Sequence, residues 1–313
     1  MSKPTLLVMS RALAKLAQPS PEAYDILCLD EAEDREALLR ERGAGIRAVL
    51  AAGMERLDAE RLALLPDLEL IAVTAAGYAG VDIEAAKRRG IAVTNAGNLN
   101  AGDVADYAMT LLLAHRRDLI ANDHYVRDDK WQEKRRPPGR SLARDRVGIV
   151  GLGHIGLAIS QRLSPFGCDI AWWGPRPKPD APWRRFETLR ELSEWASVLM
   201  IAARGDDSTR GLVGADIIHA LGRDGLIVNV SRGFVIDEPA MIEALRSGAL
   251  GGAALDVFDH EPIAGSRYAD IPNLIMAPHV AGGTEDALRA VLAAAVDNIR
   301  RLYAGEILLN RVV

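Results

Sequence analysis

Arg146-Val-Gly-Ile-Val-Gly-Leu-Gly-His-Ile-Gly-Leu-Ala-Ile-Ser160 decides how the rest of the chain is read. The apolar run 147–150 has the character of a strand buried on both faces. Glycines follow at 151, 153 and 156, and 157–163 reads as a helix. Strand, G-x-G-x-x-G and helix in that order make a dinucleotide-binding unit. Gly151 permits the tight turn. Gly153 lets the backbone approach a pyrophosphate with no Cβ in the way, and Gly156 lets the helix lie close on the strand. The pyrophosphate then meets unpaired N–H groups at the positive end of the helix. A glycine-rich turn alone is weak evidence; the strand before it and the helix after it make the nucleotide reading the stronger one.

The next strand is Cys168-Asp-Ile-Ala-Trp-Trp173. About twenty residues beyond the glycines, an NAD site carries a carboxylate for the ribose 2′-hydroxyl. This chain has Gly174-Pro-Arg-Pro-Lys178 there instead. A carboxylate would repel a 2′-phosphate, whereas an arginine such as Arg176 chelates it. The expected cofactor is therefore NADP(H), with NAD(H) as the alternative. The competing reading of the same residues is a solvated basic loop, for which Pro175, Pro177 and Pro179 are ordinary chemistry.

The 313 residues suggest about two domains. A net charge of −5 gives no reason to expect nucleic acid or an acidic membrane as partner. Cys28 and Cys168 are the only cysteines, too few for a disulfide framework or a zinc site, and they fit a reducing cytosol. The stretch 1–9 is too short for a signal peptide and reads as a first strand. No apolar run is long enough to span a bilayer. A cytoplasmic protein with no membrane partner is expected.

Upstream of the glycine motif, strands are expected at 5–9, 24–29, 46–51, 70–75 and 91–94. Helices are expected at 34–42, at 58–65 with Asp58 as N-cap, and at 83–89 with Asp82 as N-cap and Gly90 as stop. A further helix before or after Pro19-Ser-Pro21 has a poor signal. Residues 101–127 read as one helix, apolar over much of its circumference through Val104, Ala105, Ala108, Leu111 and Leu112, and so buried or packed on another subunit. The segment 130–140 is basic, broken by prolines, and read as a solvated connection. Downstream, strands are expected at 198–202, 226–230, 252–257 and 274–277. Helices are expected at 217–221, at 238–247, and at 284–303 with Thr284 as cap and Gly305 as stop. Such alternation argues an α/β protein with doubly wound parallel sheets.

Three polar stations follow predicted strands: Asn229-Val-Ser-Arg-Gly233, Asp256-Val-Phe-Asp-His-Glu-Pro262 and Ala277-Pro-His-Val-Ala-Gly-Gly283. Ligands of open parallel sheets bind beyond the carboxyl ends of the strands, which brings Arg232, Glu261 and His279 toward one place. Together they hold what hydride transfer to a keto acid needs. Arg232 grips a carboxylate or carbonyl oxygen. His279 supplies a proton to the developing alkoxide, and Glu261 orients His279 and keeps it charged. Taken singly, each residue is an ordinary loop residue; the case rests on their joint placement. No metal is expected, because Asp256, Asp259, His260, Glu261 and His279 match no metal-binding spacing.

With these residues in hand, the chain resembles the D-2-hydroxyacid dehydrogenases over nearly its whole length. The likeness is carried by the glycine motif, Asn229-Val-Ser-Arg-Gly233, Ala253-Ala-Leu-Asp-Val-Phe258 with Glu261-Pro262, and Ala277-Pro-His279 with Gly282-Gly283. The resemblance implies that Arg232, Glu261 and His279 are catalytic. It implies that Ala76, Gly77 and Tyr78 hold the substrate carboxylate, with Arg232. The cofactor contacts would be Gly151, Gly153, His154, Ile155, Gly156, Arg176, Val230, Ser231, Asp256 and His279. It also implies two Rossmann-like doubly wound domains with the active site in the cleft between them: a discontinuous substrate domain, 1–98 and 284–313, and a cofactor domain, 99–283. Hinges would lie near Leu99 and Gly283, and a dimerisation arm around 101–140 would make a homodimer. The Gly174-to-Arg176 tip resembles the NADP-using glyoxylate/hydroxypyruvate and hydroxyphenylpyruvate reductases, and Ala202-Ala-Arg-Gly205, where a His-x-Pro pattern is commoner, is more similar to the hydroxyphenylpyruvate branch. Reduction of a small 2-keto acid to the D-2-hydroxy acid is the expected activity. Alternatives are hydroxyphenylpyruvate reduction, an NAD-dependent dehydrogenase, or a non-enzymatic NAD(H)-sensing corepressor.

Overall fold

Short apolar runs alternate with capped helices along the whole chain, and every paired strand is parallel to its neighbours. The computed structural model describes residues 3–313; the reading of the N-terminus as lacking a leader begins at Met1 and Ser2, outside the described residues. The elements are β1 (Thr5–Val8), α1 (Arg11–Ala17), β2 (Asp25–Cys28), α2 (Arg35–Arg42), β3 (Ala48–Ala51), α3 (Ala59–Ala63), β4 (Leu70–Val73), α4 (Ile83–Arg88) and β5 (Ala92–Thr94), followed by α5 (Ala101–Arg116) and α6 (Leu119–Arg127). Then come β6 (Arg146–Val150), α7 (His154–Leu163), β7 (Asp169–Trp173), β8 (Arg184–Arg185), α8 (Leu189–Trp195), β9 (Val198–Ile201), α9 (Ala215–Leu221), β10 (Leu226–Asn229), α10 (Glu238–Ser247), β11 (Gly252–Leu255), β12 (Leu274–Met276) and α11 (Glu285–Ala304).

The chain divides into two compact units. The first comprises the residues up to Asn100 together with Glu285–Val313, the second Ala101–Thr284. The division thus falls at 100/101 and 284/285, against the expected 98/99 and 283/284. In the first unit the sheet order is β2-β1-β3-β4-β5. Leu7, Val49, Ile71 and Val93 point to one face of it and Leu6, Ala48, Leu70 and Ala92 to the other, where Leu292, Ala295 and Ile299 of α11 cover them. In the second the order is β12-β11-β10-β9-β6-β7-β8. Strands that alternate between two covered faces must be apolar at every position, which is why β9 and β10 read as continuous hydrophobic runs.

Helix starts follow capping chemistry. Asp34, Asp58, Asp82 and Asp237 each accept an N–H of the first turn of α2, α3, α4 and α10. The helix near Pro19 lies before it, as α1, capped by Ser10. Two elements have no counterpart in the sequence reading: the short edge strand β8, and α8, which Thr188 and Glu191 open as a reciprocal capping box.

The expected single helix over 101–127 is corrected. Asp118 adopts a left-handed conformation, φ 50°, and divides it into α5 and α6. The break follows from Arg116, 4% exposed, which turns inward at the last turn of α5. It makes a bidentate pair with Asp145 at 2.9 Å through each nitrogen and donates to the Ser197 carbonyl at 3.0 Å. α5 is buried along much of its length, whereas α6 buries no residue and leaves Leu119, Ile120 and Val126 exposed, with Trp131 beyond. Among the described residues, no helix is long and apolar enough to cross a membrane, and no group of three or more His, Cys, Asp or Glu is placed to hold a metal ion.

Candidate active site

The glycine turn after β6 carries the geometry that each glycine demands. Gly151 has φ +93°, and a Cβ there would lie 2.6 Å from the Ala203 Cα. A Cβ on Gly156 would lie 2.0 Å from the Gly151 carbonyl oxygen, so α7 could not rest on the turn. At Gly153 the same atom would meet nothing within 4 Å, which leaves the backbone open on that side. Gly153 is also the N-cap of α7 and brings no side chain to satisfy the first-turn N–H groups. An open face and an uncapped helix start fit a pyrophosphate. His154 is exposed there and Ile155 is partly buried.

At the end of β7 a side chain holds the base of the turn, and none holds its tip. Arg185 donates to the Gly174 carbonyl at 3.1 Å and lies 5.7 Å from the Trp172 ring centre. Arg176 and Lys178, at the tip, are exposed.

The loops after β9, β10, β11 and β12 are tied to one another. Asn229 closes the turn after β10 with its own side chain, accepting the Ser231 N–H at 3.0 Å and donating to the Arg232 carbonyl at 2.9 Å. Asparagine at a strand end has this Asx-turn habit, so its role was legible although the sequence reading gave it none. Ser231 donates through its hydroxyl to the Ala203 carbonyl at 2.5 Å, and Val230 is buried. Arg232 is half-buried, and its Nη1 donates to the Ser231 carbonyl at 2.7 Å. Its stem lies on Gly205, where a Cβ would come within 2.3 Å of the Arg232 Cγ. The sequence marked Ala202-Ala-Arg-Gly205 only as a departure from a commoner pattern, because only the packed fold brings Gly205 to the arginine. Burial pushes the guanidinium of Arg232 down from its ordinary range, and the charge of Glu261 offsets part of that.

Asp256 and His279 are joined more tightly still. Asp256 is 1% exposed; its two carboxylate oxygens accept the N–H groups of Val280 and Ala281, both at 2.9 Å, and its carbonyl accepts that of His279 at 2.9 Å. Burial pushes its carboxyl up, and the two N–H bonds pull it back. This clamp holds His279 in the left-handed region, φ 55°, a conformation that costs a non-glycine residue about 1–3 kcal/mol and persists only where surroundings enforce it. The imidazole remains accessible, and its Nδ1 lies 2.6 Å from Glu261 Oε2. The other Glu261 oxygen accepts the Phe258 N–H at 2.9 Å. Glu261 and His279 thus meet directly in the second unit, with Asp256 beneath the histidine, and Gly233, next to Arg232, packs against the Phe258–Asp259 peptide.

Ala76, Gly77 and Tyr78 lie in the first unit, in the turn after β4. Asn95 donates to the Ala76 carbonyl at 2.7 Å, and the Val81 N–H donates to the Tyr78 carbonyl at 3.0 Å. The N–H groups of Ala76 and Gly77 meet no acceptor among the described residues.

Residues 109–281 match the family model for the D-isomer specific 2-hydroxyacid dehydrogenase, NAD binding domain. The chain belongs to this dehydrogenase family. As a 2-hydroxyacid dehydrogenase it is an NAD(P)-dependent oxidoreductase. It is 32% identical to a 2-ketogluconate reductase of Gluconobacter oxydans, over 100% of this chain and 99% of that one. It is 37% identical to a glyoxylate/hydroxypyruvate reductase of Arabidopsis thaliana, over 85% and 83% of the two chains. Among solved structures, the NADPH-dependent glyoxylate/hydroxypyruvate reductase of Sinorhizobium meliloti, in complex with NADP and malonate, superposes with a TM-score of 0.92. That match has 33% identity and covers 100% of this chain and 97% of that one. The two parallel sheets read from the sequence are those of this dehydrogenase family.

Proposed function

We propose that this dehydrogenase uses NADPH to reduce a small 2-keto acid, glyoxylate or hydroxypyruvate, to the D-2-hydroxy acid. The observation that carries the reading is the His279–Glu261 pair at 2.6 Å on the Asp256-clamped turn, sharing its neighbourhood with Arg232. Arg232 holds the keto acid through charge-assisted hydrogen bonds and draws electron density from its carbonyl. His279 hands a proton from Nε2 to the oxygen as it gains charge. Glu261, on Nδ1, fixes the ring and balances its positive charge. The N–H groups of Ala76 and Gly77, with Tyr78 beside them, receive the substrate carboxylate. On this reading the residues 1–98 and 284–313 form the substrate domain and 99–283 the cofactor domain. The cofactor supplies the hydride. Gly151, Gly153, His154, Ile155 and Gly156 would hold its pyrophosphate, Val230, Ser231, Asp256 and His279 would hold the rest of it, and Arg176 would bind its 2′-phosphate.

The S. meliloti relative bound to NADP supports the cofactor choice. The exposed apolar side chains of α6, with no core of their own to cover, support a homodimer joined through the arm around 101–140. Free cysteines at 28 and 168 support a cytoplasmic enzyme. The test is oxidation of NADPH and NADH, side by side, with glyoxylate, hydroxypyruvate, 2-ketogluconate and 4-hydroxyphenylpyruvate. Fast NADPH loss with the two small acids is expected. Turnover confined to the sugar acid or the aromatic acid would move the substrate class, and no turnover by cofactor-bound protein would overturn the reading.

A further inference from the structure

Glu238 opens α10 and is 5% exposed, yet it belongs to none of the turns assigned above. Its Oε1 accepts the Tyr268 hydroxyl at 2.8 Å and meets the Arg267 guanidinium at 2.8 Å. Its Oε2 accepts the Asp259 N–H at 3.2 Å. Tyr268 is 2% exposed, its ring tilted against Phe258 with centres 5.6 Å apart. Burial, and then the bond to Glu238, pushes its phenol up to about 12, so it stays a donor across the working pH range.

The peptide that Glu238 grips is one residue from the group that orients Glu261. Phe258 N–H goes to Glu261 Oε1 at 2.9 Å, and the next N–H along, that of Asp259, goes to Glu238. On its other side the same peptide rests on Gly233, where a Cβ would fall 1.8 Å from the Phe258 carbonyl carbon. The 258–261 turn is thus seated between the glycine after Arg232 and a buried carboxylate. An apolar side chain at 238 would leave the Tyr268 hydroxyl buried without a partner, take away the acceptor of the Asp259 N–H, and leave the turn free to shift.

We infer that Glu238, together with Tyr268, is a positioning residue that sets the 258–261 turn so that Glu261 meets His279. The inference rests on the proposed role of the Glu261–His279 pair. It is tested by a double-mutant cycle on the full-length enzyme, with kcat, keto-acid KM and the NADPH Kd from fluorescence titration. Glu238→Ala is expected to lower kcat about ten- to hundredfold and Tyr268→Phe about three- to tenfold, with the NADPH Kd within about twofold. In a Glu261→Gln background the same changes are expected to cost less than about threefold, because coupled residues are not additive. A purely structural role would cost the same in both backgrounds, and that result overturns the inference. Should Glu238→Ala fail to fold, Tyr268→Phe, which keeps the ring, decides through the same cycle. Full activity of Glu261→Gln overturns the catalytic reading itself and the inference with it. A Glu261→Gln loss with additive Glu238 effects overturns the inference alone.

Discussion

The tip after β7 and the turns after β10, β11 and β12 are built to opposite standards. At the tip, the side chains of Arg176 and Lys178 stand in solvent, and a side chain ties down only the base of the turn. In the turns, Asn229, Asp256 and Glu261 each spend both polar ends of their side chains on neighbouring groups. On the proposed function, the contrast follows from what each region must do. Capturing a phosphate needs charge within reach of a long side chain, and Coulomb attraction tolerates an ångström of slack. Proton transfer and hydride acceptance do not tolerate it, since small displacements there cost orders of magnitude in rate.

Four substitutions break or sharpen this comparison. The largest effect belongs to His279→Gln, for which we predict a fall in kcat of about 10²–10⁴-fold, the usual worth of a positioned acid. The NADPH Kd should stay within about twofold by fluorescence titration. A kcat within tenfold of wild type would show that the rigid turns do not carry the proton. Next comes Asp256→Asn, which sets an amide N–H₂ against the N–H of Val280 or Ala281. We predict a loss of about 1–3 kcal/mol in urea unfolding, the cost of a buried unmet donor, together with slower turnover. Unchanged stability would mean that the clamp is not taut.

Arg176→Ala should raise the KM for NADPH by roughly tenfold, the order expected for one charge-assisted contact. The KM for NADH should hardly move. Equal changes for both cofactors would remove Arg176 from the 2′-phosphate. The smallest effect is expected from Thr188→Ala, in the capping box of α8, which belongs to neither region. It should cost about 1 kcal/mol of stability and leave both KM values and kcat alone. A kinetic change there would mean that the two regions are less separate than their bonding suggests.

The architecture was legible because parallel sheets covered on both faces need unbroken apolar strands, and their helices need caps. Both needs are local, and so they show in one dimension. The reading failed at 101–127, where periodicity predicted one helix. Arg116 is buried only because Asp145 and Ser197, distant in sequence, wait for it, and the chain must bend at Asp118 to allow it. It also passed over α8, although the Thr188 and Glu191 spacing of the capping box was present.

By itself the sequence determined the identities of the chemical groups: the open glycine turn, a glycine where NAD sites place a carboxylate with Arg176 following it, and Arg232, Glu261 and His279 in ordered motifs. Only the tertiary structure decided how those groups are held. It made Asp256 the clamp of the His279 turn, laid the Arg232 stem on Gly205, and seated the 258–261 turn between Gly233 and Glu238. The physical reason is that a residue's chemistry belongs to the residue, while hydrogen bonds and close packing belong to pairs that the sequence keeps many positions apart and only the folded sheet brings together.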